Sequence, residues 1–85
     1  MKITRFEETP NPNAVKAEVD AALADRPRPL YAIPDPQTDS LGHALMSIPG
    51  VRHVLIGATW FTINKHDGVS WKPIKEAARR AVENL

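Results

Sequence analysis

The sequence predicts one small domain of mixed α and β structure, and three stretches carry that expectation. After Ser70, the residues Trp71, Ile74, Ala77, Ala78, Ala81, Val82 and Leu85 recur at helical spacing, with Lys72, Lys75, Glu76, Arg79, Arg80 and Glu83 filling the opposite side. Before that helix, VRHVLIGATWFTINK over residues 51–65 holds two β-rich runs around Gly57 and Ala58, which reads as a hairpin. Upstream again, Leu41, Ala44, Leu45 and Ile48 share one helical face, and Pro49 with Gly50 ends it. A chain of 85 residues has room for one modest core.

Taken in chain order, the opening run MKITRFEE is strand-like but breaks alternation, because Ile3 and Phe6 are spaced by three. ETPNPNA follows. Thr9 and Asn11 each precede a proline and are pushed to extended geometry, so no tight turn centres on Pro10. Asn11-Pro12-Asn13-Ala14 suits a type I turn, or type II if Asn13 takes positive φ. Val15, Ala17 and Val19 alternate with Lys16, Glu18 and Asp20 as in a half-buried strand. Val15, Val19, Ala22 and Leu23 equally fit one face of an alanine-rich helix, and local pattern leans to helix. Between residues 26 and 36, prolines leave space for one short strand, Leu30 to Ile33.

Asp39 or Ser40 caps the short helix at 41–48, which leads directly into the hairpin. With a two-residue turn at Gly57-Ala58, Leu55 faces Trp60 and Val54 faces Phe61. One face then carries Val54, Ile56, Phe61 and Ile63 and is the better core candidate. The other carries His53, Leu55, Trp60 and Thr62. In the last helix Ser70 is the expected N-cap, Pro73 lies in the first turn where its missing N–H costs nothing, and Glu76 with Arg80 forms an i,i+4 pair.

Composition excludes several function classes. There is no cysteine, so disulfides, thiolate metal sites and cysteine nucleophiles are ruled out on these residues. Eleven basic against ten acidic residues give a net charge of +1, too small a field to argue for nucleic acid or an anionic membrane. No apolar run approaches a membrane span and charge interrupts the N-terminus early, so a cytoplasmic protein is the expectation.

Residue chemistry is equally sparse. His43, His53 and His66 fall on three different segments without HxH or HxxxH spacing, so no metal site is expected. Ser40, Ser47 and Ser70 serve as caps or helix surface and lack a glycine-rich elbow. Glu7 and Glu8 are adjacent on a strand, point to opposite faces and cannot cooperate as acid and base. No enzyme activity and no cofactor are expected. Trp71 opens the last helix on its apolar side, as a packing residue would. Trp60 sits with His53, Leu55 and Thr62, and that group is the candidate partner surface if nothing covers it. Arg26, Arg28, Arg52 and Lys65 form at most a weak basic cluster beside Trp60, which faintly suggests a single-strand nucleic-acid platform.

The order of these features resembles the N-terminal domain of the NifU-like (Nfu) scaffold proteins of iron–sulfur cluster assembly. The pieces that carry the resemblance are Thr9-Pro10-Asn11-Pro12-Asn13 with Lys16, Ile48-Pro49-Gly50-Val51, Thr62-Ile63-Asn64-Lys65, and Trp71 with Ile74. It covers nearly the whole chain, as a single domain over 1–85. The resemblance implies an α+β two-layer sandwich with an antiparallel-rich sheet, element order β-β-β-α-β-β-α and both helices on one face. It thereby implies strand over 14–19, against the local pattern.

Two departures are visible: Thr59 stands where that family usually has an acidic residue, and Ala21 to Pro29 carries no fixed motif. Full-length relatives hold their cluster through a CxxC in a separate C-terminal domain, which is absent from these residues. The resemblance therefore implies a non-enzymatic accessory or interaction module, with iron–sulfur assembly or acceptor proteins as partners and no cluster of its own. Under this reading Thr9 to Asn13 is a structural turn. The alternative is a small-ligand or single-stranded nucleic-acid binding domain that reuses the fold.

Overall fold

A computed structural model describes all residues, Met1–Leu85. Seven elements follow one another: β1 (Ile3–Glu8), β2 (Ala14–Val19), β3 (Arg28–Leu30), α1 (Ser40–Met46), β4 (Val51–Ile56), β5 (Trp60–Lys65) and α2 (Trp71–Glu83). The strands form one antiparallel sheet in the order β1-β2-β5-β4-β3. Both helices lie on one face of it, so the two-layer α+β sandwich and its element order are as expected. Leu41, Leu45, Ile74, Ala78 and Val82 from the helices join Ala17, Val54, Ile56, Phe61 and Ile63 from the strands in one buried cluster.

The segment 14–19 is a strand, and the local lean toward helix is overturned. Its alternating Val15, Ala17 and Val19 are buried against the helices, while its backbone pairs with β1 on one side and β5 on the other. Two satisfied ladders outweigh a weak helix propensity.

The irregular spacing of Ile3 and Phe6 also has a physical cause. The β1–β2 register slips between Ile3 and Arg5, so Thr4 is an extra residue in a bulge and its hydroxyl donates to the Glu18 carbonyl. One inserted residue puts positions three apart on the same face. A second slip between Val51 and His53 does the same for Val51 and Val54, both buried.

Several local expectations are corrected. The third strand is Arg28–Leu30, so Tyr31 and Ile33 lie beyond it and are exposed. Asp39, not Ser40, caps α1, with Oδ1 accepting from the Gly42 N–H at 2.8 Å and the other oxygen paired with Arg28. Ala44 is only half-buried, and Gly42 and Met46 take buried positions on that helix. Ser70 occupies the N-cap position of α2, yet its side chain makes no capping bond. Glu76 and Arg80 do not form an ion pair, and α2 ends before Leu85, which is exposed.

The hairpin turns at Ala58 and Thr59 instead of Gly57 and Ala58. Gly57 N–H donates to the Trp60 carbonyl at 2.8 Å, and the pairs are Ile56 with Phe61, Leu55 with Thr62 and Val54 with Ile63. The indole of Trp60 lies where a β-carbon on Gly57 would stand, so glycine is required before the turn for close approach. Because partners move by two positions, each side chain stays on its original face. Gly50, at φ +92°, supplies the left-handed residue that ends the α1 connection.

Candidate functional site

Asn11 to Ala14 forms the turn that links β1 to β2. The Asn11 carbonyl accepts from the Ala14 N–H at 3.0 Å, the Asn11 side chain accepts from the Asn13 N–H at 2.9 Å, and no non-glycine residue has positive φ. That selects type I over type II. The Thr9 hydroxyl lies 2.9 Å from the carbonyls of both Asn11 and Ala14 and accepts from the Asn11 N–H at 3.2 Å. Two distant residues then lock the turn in place. Lys65 donates from its backbone to the Asn13 carbonyl and from its ammonium to Asn13 Oδ1, each at 2.8 Å, and the Trp71 indole donates to the Pro12 carbonyl at 2.9 Å.

Lys65 is only 8% exposed, and its ammonium also stands 5.6 Å from the Trp71 ring centroid. A buried cation with an amide oxygen and an aromatic face as partners is held in one geometry. Thus Asn13, Lys65 and Trp71, from three separate parts of the chain, make one bonded unit at one end of the sheet. Beside it, Thr9, Pro10, Asn11, Pro12, Trp71 and Lys75 border a cleft of about 270 Å³.

The second surface is the sheet face away from the helices. Leu55 and Thr62 are cross-strand neighbours there, flanked by His53, Asn64 and Trp60, and all are half-buried. The Lys16 ammonium is 5.2 Å from the Trp60 ring centroid and 3.9 Å from both Glu7 and Glu18, while Arg5 pairs with the same two carboxylates. Tyr31 meets the His53 ring edge-on with centroids 4.9 Å apart. No helix packs on this face. His53, Leu55, Trp60 and Thr62, which the strand alternation groups in the sequence, are contiguous here. Tyr31 and Asn64, outside that group, border the same patch. Asn64 was legible from alternation with Thr62, whereas Tyr31 arrives only because β3 pairs with β4.

The remaining candidates are dispersed. His43 Nδ1 is 3.0 Å from the Pro34 carbonyl, His53 stacks on Tyr31, and the His66 backbone N–H donates to the Gly50 carbonyl. The proposed basic cluster does not hold as a surface feature, since Arg28 is paired with Asp39 and Lys65 is buried. No helix is long and apolar enough to cross a membrane. Asp20, whose carboxylate accepts from the Lys2 backbone N–H at 2.8 Å, has its pKa lowered by that bond.

Comparison with known proteins adds family and fold. A sequence model for "Scaffold protein Nfu/NifU N terminal" matches residues 3–85. Among curated proteins, none matches the chain. Among solved structures, the crystal structure of protein SAV1430 from Staphylococcus aureus is similar with TM-score 0.86 and 17% identity, covering 96% of this chain and 99% of that one. A NifU-like protein from Saccharomyces cerevisiae has TM-score 0.78 and 24% identity over 98% of this chain and 77% of its own. A Staphylococcus epidermidis protein gives 0.69 and 21% over 99% and 98%. At these identities the structural likeness speaks for the fold.

Proposed function

The chain belongs to the Nfu/NifU N-terminal scaffold family, and from that premise we propose that it is a non-enzymatic protein-interaction module of iron–sulfur cluster assembly, acting in the cytoplasm, that does not itself hold a cluster. Its partners are assembly or cluster-accepting proteins. The observation that carries the reading is the uncovered sheet face, where Trp60, Leu55, Thr62 and His53 form a semi-apolar patch ringed by a charge network already neutralised within itself. A large aromatic surrounded by satisfied polar groups is the usual anatomy of an interface anchor. The cysteine-free sequence supports the second half of the proposal, because thiolates are the ligands that iron–sulfur clusters require most.

The turn Thr9 to Asn13 has a structural role in this reading. Its Thr9 hydroxyl, the side-chain oxygens of Asn11 and Asn13 and the Pro12 carbonyl are all used internally, by Lys65, Trp71 or its own backbone.

Affinity capture from native lysate, with wild type compared to Trp60→Ala, tests the partner assignment. Assembly or acceptor proteins should be recovered by the wild type and lost with the variant; recovery of an unrelated set overturns the pathway. Anaerobic incubation with iron and sulfide should leave the protein colourless, and stoichiometric visible absorbance would refute the cluster-free role. Titration with short single-stranded RNA provides the contrast. Salt-sensitive NMR shifts centred on Trp60 would replace the protein-partner reading with a nucleic-acid one.

A further inference from the structure

The sheet has two edges, and they differ. β3 is three residues long and carries Pro29, so it offers little backbone for pairing. β1 is six residues long, and after its bulge Arg5 to Glu8 runs in unbroken register with β2, leaving its outer N–H and C=O groups without a strand partner. Native edges of this length are normally covered or blunted.

Beside that edge cations outnumber the one carboxylate that β1 places on the helix side, Glu8. On the helix side of β1, Lys75 Nζ and Arg79 Cζ stand over the Phe6 ring at 5.4 and 4.9 Å from its centroid. Neither has an acidic partner, and neither does Lys72 one turn earlier; the ion pairs of the protein all lie elsewhere. Lys75 and Arg79 project from the β1 flank of α2 with Lys72 one turn before Lys75; Arg80 is turned roughly 100° from Arg79, and Glu76 and Glu83 lie between Lys72 and Arg80 around the helix. On the opposite side of the same strand Glu7 is already matched by Arg5 and Lys16. The positive strip therefore lies on one side of the edge only, and it ends at the cleft where Glu8, on the same side of β1 as Phe6, lies with Lys75, Trp71 and Pro10.

We propose that β1 and the Lys72–Lys75–Arg79 flank of α2 form a docking edge for an acidic, extended peptide segment of a protein partner, which adds as a sixth strand beside β1. Strand addition gives affinity through the backbone and selectivity through alternate side chains. Alternation places every second side chain of the added strand on the helix side. Aspartate or glutamate opposite Phe6 meets Lys75 and Arg79, and the next side chain on that side, opposite Glu8, enters the cleft beside Trp71, which Lys75 also lines. The other side chains meet the neutralised Arg5–Glu7 side and need no charge. This surface is separate from the Trp60 patch, so the two readings stand or fall independently.

The test is NMR titration of ¹⁵N-labelled protein with a synthetic octapeptide alternating glutamate and threonine, and with its lysine–threonine counterpart. The glutamate peptide should shift amides of residues 5–8 and 72–79, slow hydrogen exchange along β1, and bind at least tenfold more weakly when salt rises from low to high. K75E/R79E should abolish these shifts, while R80E, the same charge change off the strip, should keep binding within about threefold; both variants must retain the wild-type amide spectrum elsewhere. Four outcomes overturn the proposal: no shifts on β1, equal binding of the lysine peptide, retained binding by K75E/R79E, or displacement of the peptide at equal charge by a single-stranded oligonucleotide. The last would make the strip a generic polyanion contact. If K75E/R79E loses the fold, K75Q/R79Q, which removes charge without reversing it, gives the same discrimination.

Discussion

Two lysine–tryptophan pairs sit on opposite faces of the same sheet, and they do different work. Lys65 with Trp71 lies on the helix side, where the ammonium is buried, bonded to Asn13, and set against a ring whose N–H is bonded to Pro12. Lys16 with Trp60 lies on the open side, where the lysine side chain is 34% exposed, its carboxylate neighbours stand at 3.9 Å, and no helix covers the ring. The chemistry of the two pairs is the same. The difference is desolvation: the first pair has exchanged water for fixed protein partners and welds a loop to the fold, and the second keeps water that a partner can displace.

Seven substitutions break or sharpen that contrast. The largest effect is expected from Phe61→Ala, between the two faces, since the ring is fully buried and its loss leaves a cavity under both helices. Urea unfolding should show a loss of about 3–5 kcal/mol, a large share of the stability of a domain this size.

Trp71→Ala should cost about 2 kcal/mol by the same measurement, from a half-buried ring plus a hydrogen bond, and should shift amides of residues 9–13. Trp60→Ala should cost less than about 1 kcal/mol while removing partner binding. Equal stability losses for the two would erase the distinction between the buried and the open pair. Lys65→Met should cost about 1–3 kcal/mol, because Asn13 Oδ1 loses its charged donor. The matching Lys16→Met should remain within about 1 kcal/mol, as exposed ion pairs do.

Gly57→Ala places a methyl where the Trp60 indole lies, so the ring must move. About 1 kcal/mol and a change in tryptophan emission are expected, and an unchanged spectrum would show that the indole does not rest on that glycine. The smallest effect concerns pH. The Asp20 pKa is depressed in the folded state, mainly by the Lys2 backbone N–H. Its contribution is therefore present above the unfolded carboxylate pKa and is lost as pH falls through the lower folded value. Asp20→Asn should lower stability slightly at neutral pH and flatten the acid limb of the profile, with the two curves converging once the wild-type Asp20 is protonated.

Much of the fold was legible in the sequence where periodicity was unbroken. α2, the hairpin and the short helix before it came from spacing alone, and the partition of the hairpin into a core face and a second face survived an error in the turn, because a shift of two partners preserves the alternation. The bulges were less legible: Ile3 with Phe6 and Val51 with Val54 violate period two, and an extra residue in one strand is a property of the pairing with its neighbour. The ambiguity at residues 14–19 has the same origin. Helix and strand patterns coincide there, and the two flanking strands that settle it lie far away in sequence.

The site divides along the same line. Turn chemistry in Asn11-Pro12-Asn13 was readable locally, since proline fixes φ and asparagine closes onto its own backbone. That Lys65 and Trp71 clasp this turn was not readable, because the contacts span 52 and 59 residues. By itself the sequence determined the element types, the two hairpin faces, and the absence of thiolate chemistry, all of which follow from residue identity and local period. Only the tertiary structure decided which face the helices cover, which lysine is buried, and which strand is left at an open edge with unpaired cations beside it. Those depend on sheet order and helix placement, and long-range packing sets both.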